Sequence, residues 1–318
     1  MSAPPVTVGQ ALVRARALGL DRLDAQRLLG HQLQRERAWL IAHDDVELDA
    51  AATTAFAQAC QRRADGEPLA YLTGERGFHG LILRVTPAVL VPRPDTETLV
   101  DWALDLLRLW PPVPPPRVLD LGTGSGAIAL AVAHRHPPAQ VSATDLSPAA
   151  LAVAQANGQR LGLAVDFKRG SWWQALPDAV RFDLVLSNPP YIAGDDPHLA
   201  ALRHEPTLAL TPGGDGLAAL REIIAGAPAH LAPGGWLLLE HGWDQATAVA
   251  ALLRSAGFER VATRFDLEGR PRCTGGQSPA LGDADAVADA AADANANANA
   301  NANANDNANA DAAAAAKA

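Results

Sequence analysis

A chain of 318 residues fits two domains, and a 48% hydrophobic composition, much of it alanine, is enough for sizeable cores. The net charge is −9, of which six Asp and one Lys from Gly282 onward supply −5, leaving −4 on the body; that is no electrostatic footprint for stable nucleic-acid binding, although a local basic patch stays open. Cys60 and Cys273 have no CxxC spacing, which argues against a disulfide framework or a cysteine-rich zinc site, and with no secretory leader or apolar span in view the expectation is a cytoplasmic protein without a membrane partner.

Residues 1–73 read as a small helical bundle, either a stabilising appendage or a platform for a macromolecular substrate. Val8, Leu12, Ala15 and Leu18 keep helical spacing and Gly19 is a plausible stop. Asp21 can cap a second stretch whose stripe runs through Leu23, Leu28, Leu29, Leu33 and Leu40, and Asp49 can cap a third. Residues 74–91 change character to short strands and turns among Gly74, Gly77, Gly80 and Pro87, a hairpin-like link. In Val91-Pro92-Arg93-Pro94-Asp95-Thr96-Glu97, Pro94 suits the first turn of a helix and Asp95 and Glu97 suit its positive end. Capping does not explain Arg93 between two prolines.

A proline-rich connector, residues 111–116, precedes a buried strand over residues 117–121. Gly122-Thr123-Gly124-Ser125-Gly126 is then a glycine turn before a helix, where the backbone can approach a ligand beside a helix N-terminus. A second strand ends in Asp145, placed to take both hydroxyls of a ribose. Gly122, Gly124 and Ala127 also satisfy G-x-G-x-x-G/A, so a nicotinamide oxidoreductase is an alternative at this point. Against it, Asp120 just before the turn suits a cationic ligand such as an amino acid ammonium.

Residues 148–161 read as helix, 164–169 as a third strand, and Ser171-Trp172-Trp173 follow, of which Trp172 could flank an adenine. The strand over residues 181–187 stops at Asn188-Pro189-Pro190-Tyr191, because two prolines cannot donate to a ladder. The corner carries the parts that grip a flat NH2 group: the Asn188 amide oxygen and the Pro189 carbonyl as acceptors, and Tyr191 against its plane. Residues 194–216 could form a lid. Helix 217–231, a turn at Pro233-Gly234-Gly235, strand 236–240, helix 245–256 and strands 260–265 and 270–273 complete an α/β, doubly wound, mostly parallel sheet. Glu240 and His241 read as a strand-end structural pair. From about residue 279 the Ala, Asn and Asp composition reads as disordered.

The segments at residues 91–97, 120–126 and 188–191, with Gly66-Glu67-Pro68-Leu69-Ala70-Tyr71-Leu72-Thr73-Gly74 and Arg203-His204-Glu205-Pro206, resemble the bacterial release-factor glutamine methyltransferase family, PrmC or HemK, over about residues 8–273. The resemblance implies an N-terminal helical substrate-recognition domain (1–73), a β-hairpin linker (74–91), a class I methyltransferase domain (92–274) and, outside the family pattern, a low-complexity tail (275–318). It implies S-adenosylmethionine as cofactor, held by Asp120, Gly122, Thr123, Gly124, Gly126, Asp145, Ser171, Trp172 and Asn188. Peptide chain release factors would be the protein partners, methylated on the glutamine of their Gly-Gly-Gln motif. Asn188, Pro189 and Tyr191 would be catalytic, with Pro190, Arg93 and Glu97 joining them in substrate binding. The family often has an acid at the position of Ser171, which can still hydrogen-bond an adenine. The corner alone is shared with adenine-N6 DNA methyltransferases, and a sister family acts on a ribosomal protein; both are the alternatives, as is a non-catalytic binding protein on the same fold. Gly275-Gly276-Gln277 is itself a Gly-Gly-Gln tripeptide, read as chance in a glycine-containing tail or as a site of self-methylation.

Overall fold

The computed structural model describes residues 6–280 except 112 and 178; residues 281–318, most of the expected tail, lie outside the described residues. Strand β1 (Val6–Thr7) pairs antiparallel with β2 (Glu47–Leu48), a pairing that no sequence signal announced. Helix α1 (Val8–Ala17) opens on a capping box, in which Gln10 N donates to Thr7 Oγ1 at 3.3 Å and Thr7 N donates to Gln10 Oε1 at 3.2 Å. Asp21 caps α2 (Arg22–Leu33) by accepting from Leu23 N at 2.7 Å. The stripe expected to run on to Leu40 is broken, because Gln34 adopts φ 52° and ends α2; Leu40 belongs to a separate α3 (Arg37–Ala42). Asp49 caps α4 (Ala50–Ala64) through Ala52 N at 2.6 Å, and α5 (Leu69–Thr73) closes the unit. Val8, Leu28, Leu29, Leu40 and Phe56 form its core, whereas Leu18 and Leu23, at helix ends where the stripe rotates away, remain exposed.

Strands β3 (Glu75–Phe78) and β4 (Leu81–Arg84) make an antiparallel hairpin. Its two-residue turn has φ 47° at His79 and 82° at Gly80, the left-handed pair that matches strand twist. A single 3₁₀ turn (Pro94–Thr96) then leads into α6 (Glu97–Arg108).

The remaining elements alternate: β5 (Arg117–Leu121), α7 (Ala127–Arg135), β6 (Gln140–Asp145), α8 (Pro148–Leu161), β7 (Asp166–Arg169), β8 (Phe182–Ser187), α9 (Ala218–Gly226), β9 (Leu231–Glu240), α10 (Ala246–Ser255), β10 (Glu259–Phe265) and β11 (Pro271–Gln277). They form one seven-stranded sheet in the order β10-β11-β9-β8-β5-β6-β7. The β7-β6-β5-β8-β9 pairs are parallel, and β11 runs antiparallel between β9 and β10. Side chains alternate between faces: Val118, Leu184, Leu186 and Leu238 pack with α6 and α7, while Leu119, Leu121, Val185, Leu237 and Leu239 pack with α9 and α10. The chain leaves β5 toward β6 and β7 and then returns to the other side of β5 at β8. The carboxyl ends of β5 and β8 therefore lie side by side at a topological switch, where such sheets bind ligands.

Strand β11 continues past Cys273, where the sequence pattern ended it, to Gln277. Gly275-Gly276-Gln277 thus belongs to the sheet and not to a tail. Gln277 pairs opposite Trp236, in the middle of β9 and four residues before Glu240, and its Nε2 donates to Gly234 O at 2.8 Å. Glycine is required there by packing: a Cβ on Gly275 would sit 2.4 Å from Leu238 Cδ2 and 2.8 Å from Leu237 O. Gly275→Ala is expected to cost about 1–3 kcal/mol by overpacking. Urea unfolding should show a lower midpoint at unchanged slope; an unchanged midpoint would mean that the strand yields at that point.

Candidate active site

The glycine turn is folded by the end of the neighbouring strand. Gly122 N and Thr123 N both donate to Thr144 O at 2.9 Å, and Gly124 N donates to Asp145 Oδ2 at 2.8 Å. Gly122, Gly124 and Gly126 all have positive φ, which a side chain would strain. The other Asp145 oxygen accepts from Ser147 N at 2.8 Å, and burial is the largest influence on its carboxyl, raising its pKa. Asn157 braces the turn from α8. Its Nδ2 donates to Ser125 O at 3.0 Å and to Arg84 O at 2.9 Å, while its Oδ1 accepts from Arg84 N at 2.8 Å. One buried amide thereby ties the glycine turn to the hairpin.

A cavity of about 430 Å³ opens over this switch point. Gly122, Thr123, Gly124, Asp145, Ser171, Trp172, Arg93, Asn188 and Pro190 all line it, so sequence candidates from five separate stretches of the chain meet around one opening. The Trp172-Trp173 pair divides. Trp172, at φ 43°, reaches the cavity and packs on Gly122, where an added Cβ would lie 3.1 Å from its Cζ3. Trp173 turns into the core, stacks on His230 and donates to Ile223 O at 3.2 Å. Arg93 forms an ion pair with Glu205, whose other oxygen accepts from Val91 N at 3.0 Å. The orphan arginine of the sequence thus anchors the loop after β8 against the segment before α6.

Five candidates are not on the cavity wall. Glu97 accepts from His79 N at 2.8 Å and holds the hairpin turn. Asp120 is fully buried beneath the glycine turn; its Oδ2 accepts from Thr123 Oγ1 at 2.6 Å and from Ala129 N at 3.2 Å, and its Oδ1 has no partner. Desolvation pushes its pKa up to about 7, against the pull of those two hydrogen bonds. Gly126 is there for closeness: a Cβ would come within 2.9 Å of Leu130 Cδ1. Pro189 is buried. Tyr191 points away from the cavity into the α9/α10 side of the core, and its hydroxyl donates to Glu240 Oε1 at 3.3 Å. Burial raises that phenol well above its usual range.

Glu240 and His241 are not a pair, since consecutive strand residues face opposite sides. His241 lies within hydrogen-bonding distance of Gly242 O at 2.8 Å and Thr274 Oγ1 at 2.7 Å, while Glu240 turns to Tyr191. The sequence presents Thr96 only as part of a helix start. It lines the cavity, and its Oγ1 accepts from Asn188 Nδ2 at 3.1 Å. Among the described residues nothing in the protein donates to Asn188 Oδ1.

Glu240 is 1% exposed, and its carboxyl pKa rises from 4.5 to about 7 because burial outweighs hydrogen bonds from Thr96 and Tyr191 and the charge of Arg272, with Asp95 adding to the rise. A raised folded-state pKa gives stability that is complete below the unfolded value and lost as pH climbs through the folded one. Glu240→Gln should therefore gain in melting temperature relative to the unsubstituted protein as pH is raised from about 5 to about 8. A difference that stays flat over that window would show that the acid is compensated in its charged form.

Comparison with known proteins agrees with this architecture. The family described as PrmC N-terminal domain matches residues 7–74, and that described as methyltransferase small domain matches residues 100–215. A Xylella fastidiosa protein named release factor glutamine methyltransferase is 54% identical over 274 residues, which is 85% of this chain and 98% of the relative. A Bordetella pertussis protein of the same name is 55% identical over 260 residues, 81% of this chain and 95% of the relative. Among solved structures, the catalytic domain of hMettl16 in complex with MAT2A 3'UTR hairpin 6 aligns with a TM-score of 0.51 at 17% identity, over 74% of this chain and 84% of that one. At that identity the likeness is one of fold, and the shared fold is the class I methyltransferase sheet.

Proposed function

The chain belongs to the release factor glutamine methyltransferase family, and from that we propose that it transfers a methyl group from S-adenosylmethionine to the side-chain amide nitrogen of the glutamine in the Gly-Gly-Gln motif of peptide chain release factors. The observation that carries the reading is Asn188: an amide with an unengaged carbonyl oxygen, on a cavity wall beside a glycine turn.

The residues present fit the cofactor. The Asp145 carboxylate accepts from the backbone N–H groups of Gly124, Ser147 and Leu146, and its two oxygens have lone pairs for more than those three bonds, so the group lining the cavity can still take a hydroxyl. The Trp172 ring offers a flat apolar face, Ser171 a hydroxyl, and Gly122–Gly124 a backbone that a ligand can approach closely. Asp120 would act from below, by fixing Thr123. Bound S-adenosylmethionine supplies a methyl group on a sulfonium.

The protein's part is to orient and polarise the acceptor. An amide nitrogen is a weak nucleophile because its lone pair is delocalised. Accepting its hydrogens at Asn188 Oδ1, and at the carbonyl of Pro189, a buried residue set in the chain between the cavity-lining Asn188 and Pro190, would align the group and favour positive charge on nitrogen as the bond forms. The proton can leave to water after transfer, so the site needs no strong base before attack. The N-terminal helices stand in this proposal as the platform for the release factor. Supporting this, Arg203 and His204, in the loop beside the cavity, both reach Asp65 O at the end of α4.

Incubation with labelled S-adenosylmethionine should label an unmethylated release factor, and should not label one whose motif glutamine is alanine. Asn188→Ala should lower kcat by about 10²–10³, the usual loss for one oriented hydrogen-bonding group, while cofactor affinity holds. Cofactor binding without label on the release factor would overturn the acceptor and redirect the search to ribosomal-protein and DNA acceptors.

A further inference from the structure

Among the described residues, three charged side chains line the cavity: Arg93, Asp145 and Glu222. Two are engaged. Arg93 pairs with Glu205, and Asp145 accepts from the backbone at Gly124 and Ser147. Glu222, on α9, has no hydrogen bond or ion pair among the described residues. Its helical neighbours Ala218, Ala219, Ala225 and Gly226 carry no charge, and the adjacent Arg221 is given to Asp215 at 2.6 Å. An exposed acid on a helix is ordinarily a solvated one, but this one fronts a ligand cavity.

Ala218, Ala219 and Glu222 share one face of α9, and all three line the opening. The two alanines leave room in front of the acid. The same helix carries the turn that holds Ser171 and Trp172. Trp173 Nε1 donates to Ile223 O at 3.2 Å, one residue from Glu222. Gly226 lets that indole close in, since a Cβ there would sit 2.3 Å from Trp173 Cδ1. Trp172, beside it in the chain, lines the cavity with Ser171. Glu222 therefore stands on the same side of the opening as Ser171 and Trp172. Gly170 N donates to Asp145 O at 3.1 Å, so this turn is also bonded to the residue placed to take a ribose.

A flat indole face next to a ribose site suits a heteroaromatic base. Adenine offers an NH2 donor at C6 and an acceptor at N1. A carboxylate only accepts, whereas the Ser171 hydroxyl can donate. Glu222 and Ser171 together hold the complement of that edge. A 6-oxo purine reverses both positions and sets its oxygen against the carboxylate. We propose that Glu222 is a specificity-determining residue for the base of the cofactor, accepting a hydrogen bond from the amino group at C6 of adenine. The assignment rests on the S-adenosylmethionine reading and goes beyond it by naming what selects the base.

Isothermal titration calorimetry of the full chain tests this with two probes that differ only in the base, S-adenosylhomocysteine and its 6-oxo counterpart S-inosylhomocysteine. The unsubstituted protein should bind the adenosyl probe more tightly by about tenfold or more, because a site built to accept from an NH2 group is left unpaired by the oxygen. Glu222→Ala should weaken the adenosyl probe by roughly five- to tenfold and leave the inosyl probe unchanged. Glu222→Gln, whose amide can turn either end to the ligand, should bring the two affinities within about threefold. A preference that survives in both variants, or an equal loss for both probes, would overturn the assignment. So would a raised KM for a release factor with unchanged affinity for S-adenosylhomocysteine, which would give Glu222 to the protein substrate. If the unsubstituted protein binds both probes equally, the role of Glu222 falls and the cofactor reading stands. If it binds neither, the cofactor reading falls and the role of Glu222 with it.

Discussion

Strand β8 ends at Ser187 because Pro189 and Pro190 have no N–H to give a ladder. That one covalent fact fixes where the sheet stops pairing and where the site begins. Ser187 Oγ ties the strand end to Leu121 O at 2.7 Å, so the last residues of β8 and β5 are locked in register. The glycine turn that follows β5 and the corner that follows β8 then share one opening. The turn in turn hangs from Thr144 O and Asp145 at the end of β6. Three strand ends, each terminated by its own residues, define the cavity before any ligand is considered.

Beneath that opening the protein buries two acids. Asp120 lies under the glycine turn and Glu240 behind the corner; burial pushes each to about 7. Neither lines the cavity. Each costs stability in its charged form, and each engages a hydroxyl, that of the cavity-lining Thr123 for Asp120 and that of the corner's Tyr191 for Glu240. The expense is therefore placed one layer below the surface that meets a ligand, where it stiffens polar groups whose direction matters. A similar economy appears in Asn157, a single amide joining hairpin, helix and turn.

The two units of the chain are joined at the same place. Tyr71 Oη donates to Val89 O at 2.5 Å, Arg76 Nε to Pro92 O at 3.1 Å, and Glu97 accepts from the hairpin turn. Arg93 and Glu205 close the loop after β8 onto the segment that enters α6, and Arg203 carries the same loop back to the end of α4. A macromolecule bound by the helical unit would thus press on elements that are hydrogen-bonded to the cavity rim.

Much of this was determined by the sequence alone, because the signals were local. Caps at Asp21 and Asp49, the Pro94 helix start, the glycine turn and the proline corner each act within a few residues, and alternating elements imply a parallel sheet. Family membership followed from the same short segments. What the tertiary structure decided was direction. Glu97 and Tyr191 belong to motifs whose neighbours line the cavity, yet their side chains leave it for the hairpin turn and for Glu240. Gln277 became a strand residue because β9 and β10 flank it, not through any local propensity. Thr96 gained significance only when Asn188, 92 positions away, was folded against it. Which hydroxyl faces which amide depends on strand order and on the alternation of faces, and no window of neighbouring residues contains either.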